Sequence, residues 1–550
     1  MFSEMSAPTM ASWTQTSTSS GQQDAFERPL GLNELGFFWD SRIQGTADSF
    51  SHSTLGGSPA LFAQANVVRA WTVVKNKFPL LGARIILDAD RNGARFHVAL
   101  SRLSSLVPGE VTTFAVASEA AVDAAADAVI NGQRKLSDNL LGRIEILTHE
   151  DKNADAPVVA HLFIHLAHAI TDGVSGTILL RTFLEYLSSP EMAITLPDVR
   201  PRLALAVSAE SLVPARRFTL ARQRWRRAAG KIISQIQDAK REGGHTLPRS
   251  FGPIAARLPA RSGFQKIKLS PAETLRLIST CRAKRITVGN ALPVLAQVAL
   301  ARMLCRRYLR GEIGAEEWEF RRIQPSHTAG PINLRTFLDR EWFDAGGAAN
   351  VSVYIGYFYF SAPFTPLPRL QAGDPVPKPT ELMTRERFVL RCNQMKANAS
   401  KYLKHPLFFE IGQARLANKI PNQRRVAEML ASNEPFLDPS TLNLSPMEQA
   451  QHGPVFTHGW STFGNTDANL PRAYPANAEN PTLRLITGDT KLHCRPGELY
   501  LGSGTVNQEL FFAVYFDKNV FTEHIVQEWL SEIRYAADIY LLDSTDTPKL

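Results

Sequence analysis

His161-Leu-Phe-Ile-His165-Leu-Ala-His168-Ala-Ile-Thr-Asp172-Gly173 decides how the rest of this 550-residue chain is read. An apolar run ending in a histidine passes straight into Thr171, Asp172 and Gly173, residues that favour turns. Residues 174–187 then follow with the apolar spacing of a helix. Strand side chains alternate faces, so a strand carried as far as His168 sets that ring opposite His161, Phe163 and His165. A histidine at a strand-to-helix corner is held by backbone from both sides and can project a ring nitrogen into a cavity. Imidazole titrates near neutrality, so the placement suits a general base. Chance would supply only roughly 0.04 copies of H-x-x-x-D-G in a chain of this composition, and the match is therefore specific.

The motif resembles that of the CoA-dependent acyltransferase superfamily, which includes chloramphenicol acetyltransferase, plant BAHD acyltransferases, peptide-synthetase condensation domains and fungal O-acetyltransferases. Many members carry a second histidine just before the motif. Ala167 stands there, a departure that weakens the peptide-condensation reading more than the acyltransferase one. Other segments fall in the family's order: Arg28-Pro-Leu-Gly31, Leu141-Gly-Arg-Ile-Glu145, Gly330-Pro-Ile-Asn333-Leu-Arg335 and Glu498-Leu-Tyr-Leu-Gly502. Over residues 26–545 the chain is similar to fungal CoA-dependent O-acetyltransferases of secondary metabolism, of the trichothecene 15-O-acetyltransferase type.

The resemblance implies an α/β fold of two chloramphenicol-acetyltransferase-like domains, each a mixed sheet with helices, with a channel at the domain interface. It implies His168 as base, Gly173 as the residue that frees the turn, and Asp172 as a structural carboxylate pairing with an arginine. Arg84 and Arg335 are the candidates for that partner. Asn333 belongs to an N-x-R strand that borders the channel. Ser461-Thr-Phe-Gly464-Asn resembles a second-domain segment with a Phe-Gly pair, and Thr462 stands where BAHD enzymes carry Asp. Ser461, Thr462 and Gly464 thereby become channel candidates, with the Ser461 or Thr462 hydroxyl a possible oxyanion donor. The implied activity is O-acetylation of a terpenoid or polyketide alcohol. Acetyl-CoA, or another acyl-CoA, would serve as co-substrate, with no bound cofactor, in a cytoplasmic monomer.

Composition fits. The chain is 44% hydrophobic and 21% charged, as in soluble globular proteins, and its length suggests two domains. The net charge of +9 is dispersed and lacks a nucleic-acid-binding motif, so no nucleic-acid partner is expected; an anionic co-substrate accounts for it equally well. Four cysteines without C-x-x-C spacing speak against structural zinc and a disulfide framework. No apolar run reaches about 18 residues, so no membrane span is expected, and the N-terminus has no signal pattern. Pro548-Lys549-Leu550 is a distant variant of the peroxisomal address. Serine-hydrolase, dinucleotide and P-loop motifs are missing. Leu55-Gly-Gly-Ser58 lacks the residue that precedes the serine of a phosphopantetheine site. On a strand, His161, His165 and His168 cannot converge on one ion, so no metal is expected; His161 and His165 read as buried, hydrogen-bonded strand residues.

Organisation follows the same frame: a disordered tail over 1–25, an N-terminal domain over 26–196 carrying the motif, a basic crossover over 197–253, and a C-terminal domain over 254–550. Ordered structure is expected from Arg28. Strands are expected at 81–87, 140–148, 158–168, 263–269, 350–360, 499–501 and 510–516. The strands at 140–148 and 158–168 should pair across a charged loop at 150–156. Helices are expected at 61–76, from the Ser270 cap, at 287–308 and at 522–540. Arg222-Gln-Arg-Trp-Arg-Arg227 in the crossover reads as a solvated helix face, with phosphate or membrane-surface contact as the second reading. Two rival functions stand beside acyl transfer from CoA. One is a stand-alone condensation enzyme acting on carrier-bound acyl groups. The other is a non-catalytic binding module, which would not need His168 at the corner.

Overall fold

A computed structural model of the chain describes residues 13–17, 24–149, 157–191, 198–249, 259–432 and 454–542. The loop expected at 150–156, most of the tail, both ends of the crossover and the C-terminal tripeptide lie outside those residues.

Two six-stranded sheets form the two lobes. The first runs Ala473–Tyr474, Leu483–Leu492, Ser49–Gly57, Val158–Leu166, Gly142–His149 and Val111–Val116. The second runs Ile355–Ala362, Ser326–Asn333, Phe456–Asn465, Leu499–Val506, Glu509–Asp517 and Ser262–Lys268. A four-stranded sheet of Thr14–Ser17, Asp24–Pro29, Ala94–Ala99 and Arg84–Leu87 accompanies them. Both large sheets mix parallel and antiparallel pairs.

The motif strand Val158–Leu166 is hydrogen-bonded along both edges, antiparallel to Ser49–Gly57 and to Gly142–His149. From Ala160 onward it is buried on both faces, which is why it reads as an unbroken apolar run rather than an alternating one. In the second lobe, Val288–Leu309 is apolar all round because it is a core helix. It packs against Glu523–Ala537, where Trp529 Nε1 donates to the Ala296 carbonyl at 3.2 Å. It is the one described helix long and apolar enough to cross a bilayer, yet 83% of its apolar window lies inside the protein. Ser270 and Glu273 form the capping box read from the sequence. All four cysteines are buried and free.

Three expectations change. Thr14–Ser17 already pairs with Asp24–Pro29, so strand structure begins inside the expected tail and before Arg28. The strands between Ala473 and Leu492 lie in the C-terminal half of the chain, yet Leu483–Leu492 pairs with Ser49–Gly57. A division at 197–253 therefore does not separate the sheets, since the second half lends two strands to the first lobe. The strand expected over 350–360 begins only at Ile355, because the segment before it is bound elsewhere: the Tyr354 N–H donates to Asp172 at 2.8 Å.

Candidate active site

The motif strand ends at Leu166, two residues short of His168. A single 3₁₀ turn, His168–Ile170, follows, and Asp172 caps the helix Gly173–Leu187 by accepting the Ser175 N–H at 2.9 Å. The direction of the His168 ring is thus set by the turn, and the strand alternation used in the sequence reading does not reach it. The His168 backbone N–H donates to the buried Asp48 carboxylate, which Arg134 Nε holds at 2.7 Å. Burial raises the Asp48 pKa to about 6, against the pull of Arg134 and this N–H. The imidazole lies flat on Phe37, with ring centroids 3.8 Å apart and an interplanar angle of 3°.

Burial pushes the His168 pKa down to about 4, with the nearby Arg495 cation adding to the fall and its own carbonyl, Asp172 and Asp40 opposing it. The ring is therefore neutral at physiological pH. Nδ1 is sealed from solvent without a partner of good hydrogen-bond geometry, and Nε2 is left as the nitrogen available to a substrate. Arg495 is itself tied to Asp40 Oδ2 at 2.8 Å and to Glu498 Oε1 at 3.2 Å.

Of the two arginines proposed for Asp172, the structure selects Arg335. Its Nη1 and Nη2 donate to the two carboxylate oxygens at 3.0 and 3.1 Å, with both side chains buried. The Ser175 N–H and Tyr354 N–H complete the set of donors around the carboxylate. Arg335 Nη2 also donates to Ser175 Oγ at 2.8 Å, and its guanidinium lies 4.9 Å from the centre of the Tyr354 ring. Burial alone would raise the Asp172 pKa; Arg335 and the two N–H donors outweigh it and hold the carboxyl below its usual value. Asp172 and Ser175 come from the first lobe, Arg335 and Tyr354 from the chain of the second, as does Ser352, whose N–H donates to Ser175 Oγ at 3.0 Å, so the pair clasps the two lobes together. Arg84 lies in the four-stranded sheet beside His97 and takes no part. Asn333 is not turned to a substrate either. Its Oδ1 accepts from the Arg335 backbone N–H at 3.1 Å and from Nη1 at 3.2 Å, fixing that side chain.

Across the seam, Ser461 and Thr462 part company. The methyl of Thr462 faces the start of the Val288–Leu309 helix, 3.0 Å from where a Cβ on Gly289 would lie. Ser461 points to the other face and meets the Tyr500 phenol, whose pKa burial raises and this contact draws down. Phe463, on the same face as Ser461, is 40% exposed and lies 3.6 Å from where a Cβ on Gly173 would project. Gly173 opens its helix with an ordinary backbone angle, so turn freedom is not its reason. A Cβ there would make ordinary contact with the Phe463 ring. Gly464 does need to be glycine, with φ +68° at the end of the strand.

One helical turn before Phe37, Asn33 borders a recess that is also lined by Glu210, Tyr357, Tyr402, Phe408 and Lys419. Asn33 Oδ1 and Glu210 Oε2 have no hydrogen-bond partner there. Burial, reinforced by Glu34, raises the Glu210 pKa to about 6. Among residues the sequence reading missed, Phe37, Asp40, Asp48 and Arg495 surround His168 from three separate segments, and no local motif marks any of them. His161 is hydrogen-bonded, to His52 at 3.1 Å. His165 is not: neither ring nitrogen has a partner, and the ring stacks on His493 at 5.2 Å. Among the described residues, the donor atoms of Glu119, His149 and His161 lie within 4.8 Å of one another, at the far end of the motif strand from His168; Glu119 also hydrogen-bonds His149 at 3.0 Å.

No protein-family model matches the chain, and no curated protein matches it. Solved structures do. The trichothecene 15-O-acetyltransferase of Fusarium sporotrichioides aligns over 97% of this chain and 99% of its own, with 12% identity and a TM-score of 0.69. The epimerization domain from the third module of tyrocidine synthetase B aligns over 94% and 98%, with 13% identity and a TM-score of 0.56. The condensation domain of the Monacolin K polyketide synthase does so over 94% and 98%, with 13% identity and a TM-score of 0.54. Likeness at this level of identity is likeness of fold: the chain has the two-lobed α/β fold of the superfamily that its H-x-x-x-D-G motif resembles.

Proposed function

We propose that the protein transfers an acyl group, acetyl by preference, from a CoA thioester to a hydroxyl of a secondary-metabolite alcohol, with His168 as general base. The observation that carries this reading is an imidazole stacked flat on Phe37 where the two lobes meet, its Nδ1 buried without a hydrogen-bond partner and its pKa lowered by burial. An alcohol is a poor nucleophile near neutrality, so the acceptor O–H must lose its proton as the new bond forms. The hydroxyl donates to Nε2, its oxygen attacks the thioester carbonyl, and the proton passes to the ring. Collapse of the tetrahedral intermediate breaks the C–S bond, and the imidazolium returns the proton to the departing CoA sulfur. No covalent acyl-enzyme is needed.

The Ser461 hydroxyl is the better of the two oxyanion candidates, because it faces the same side as Phe463, which meets Gly173. Such donors contribute about 3 kcal/mol in comparable sites. Asp172 is a positioning residue that acts through Arg335. The recess beside Phe37 suits an apolar acceptor carrying further hydroxyls, since aromatic rings line it and two buried acceptor atoms await donors. Transfer from a carrier-bound acyl group is the second reading, favoured by the shared fold of condensation domains and opposed by Ala167. Incubation with acetyl-CoA and a panel of hydroxylated metabolites, read as free thiol, should show release that depends on the acceptor. Activity with carrier thioesters and none with any acyl-CoA would transfer the assignment to the second reading.

A further inference from the structure

The crossover helix Leu220–Ala239 is amphipathic the wrong way round for a surface helix. Its polar side lies against the helix Phe408–Ala431. Arg226 Nε donates to Glu410 Oε1 at 2.5 Å, and Arg415 reaches Asp238 Oδ1 at 3.2 Å and Gln237 Oε1 at 2.6 Å. Gly230 permits the close approach, since a Cβ there would fall 2.6 Å from Glu410 Cβ. The opposite side is apolar. At 3.6 residues per turn, Ala221, Trp225, Ala228, Ile232, Ile236 and Ala239 form one outward stripe. Trp225, Ile232 and Ile236 are 65%, 57% and 51% exposed. Arg222 and Lys240 border the stripe on one edge, Arg224 and Lys231 on the other. Asp238, the single acidic residue of the helix, is engaged on the inner side by Arg415 and Arg241.

A merely solvated basic helix would present its cations outward and its tryptophan and isoleucines inward. Here an apolar ridge stands out between two rows of cations, which is the pattern of a helix that lies in a lipid interface. Tryptophan is favoured at headgroup depth, and cations on either side meet lipid phosphates and carboxylates. We propose that Leu220–Ala239 docks the protein peripherally on an anionic membrane surface, with Trp225, Ile232 and Ile236 entering the boundary between headgroups and acyl chains.

Flotation of the full chain with phosphatidylcholine vesicles, with and without about 30% phosphatidylserine, tests this. Binding to the anionic vesicles should exceed binding to neutral ones by about tenfold or more, and should weaken on raising salt from about 0.1 to 0.5 M. It should be accompanied by a blue shift of fluorescence that Trp225→Phe removes. Ile232→Asp should reduce partitioning at least about tenfold while leaving acetyl transfer to a soluble acceptor unchanged, since the side chain faces away from the seam. Arg224→Gln with Lys231→Gln should remove the preference for anionic lipid and keep the fold. A wild-type chain that ignores anionic vesicles, or an Ile232→Asp variant that floats equally well, overturns the proposal. So does a wild-type dimer, silent towards vesicles, that Ile232→Asp converts to monomer.

Discussion

Asp172→Asn keeps the shape of the side chain and removes its charge, at a site where every neighbour is a donor. One carboxylate oxygen accepts from the Ser175 N–H and Arg335 Nη2, the other from Arg335 Nη1 and the Tyr354 N–H. Whichever way the new amide turns, its NH₂ group therefore meets two N–H donors, and the Arg335 cation is left without its counter-ion at 2% side-chain exposure. Breaking one partner of a buried pair costs about 3–5 kcal/mol, and the donor-against-donor contact places this substitution towards the upper end. Because the pair joins the lobes, the loss should appear as a lower urea midpoint together with a lower acyl-transfer rate. His168→Ala is the control: it forfeits the Phe37 stack, about 1 kcal/mol, and leaves the clasp intact. In a double-mutant cycle, Arg335→Met should recover part of the loss by removing the stranded cation. Asp172→Asn unfolding within about 0.5 kcal/mol of wild type would refute the clasp.

The pH-rate profile should keep its full rate well below neutrality and fall only as pH approaches about 4, where His168 protonates; a limb near the ordinary histidine value would contradict the burial seen here. Stability should respond at higher pH. Burial holds His458 and His493 near pKa 4 and pushes His165 well below its ordinary value, so between about 6.5 and 4 the unfolded chain binds protons that the folded chain does not. Stability present above pH 6.5 should then be lost on acidification, by about 1.4 kcal/mol per pH unit for each histidine, and urea midpoints across that range check it. Arg84→Ala should leave acyl transfer near wild type, whereas Arg335→Ala should lower both rate and stability, as paired kinetic and unfolding measurements will show. Ser461→Ala should reduce the rate by about 10²-fold if its hydroxyl serves the oxyanion, with Thr462→Val, measured alongside, far milder.

The motif could be read because its chemistry is local: histidine, aspartate and glycine lie within six residues, and an apolar strand leads into a helix. Ser270 announced its helix for the same reason, through a capping box that needs only neighbours in sequence. What stayed hidden depends on contacts between distant segments. Ser49–Gly57 is rich in serine and glycine and has little strand character of its own, yet two flanking strands recruit it. Phe37, Asp48 and Arg495 carry no signal near them, and only folding brings them to His168. The choice of Arg335 over Arg84 likewise rests on the two lobes meeting. Strand alternation does not set the direction of His168, since the strand stops at Leu166 and a turn takes over.

The central claim is that His168 removes the acceptor proton. Single-turnover acetyl transfer by His168→Ala, at neutral pH with saturating acetyl-CoA and an accepted alcohol, tests it most directly. The account predicts a rate lower by about 10²–10⁴, with acetyl-CoA affinity little changed and the fold retained. A His168→Ala protein that transfers acetyl groups at the wild-type rate would contradict it.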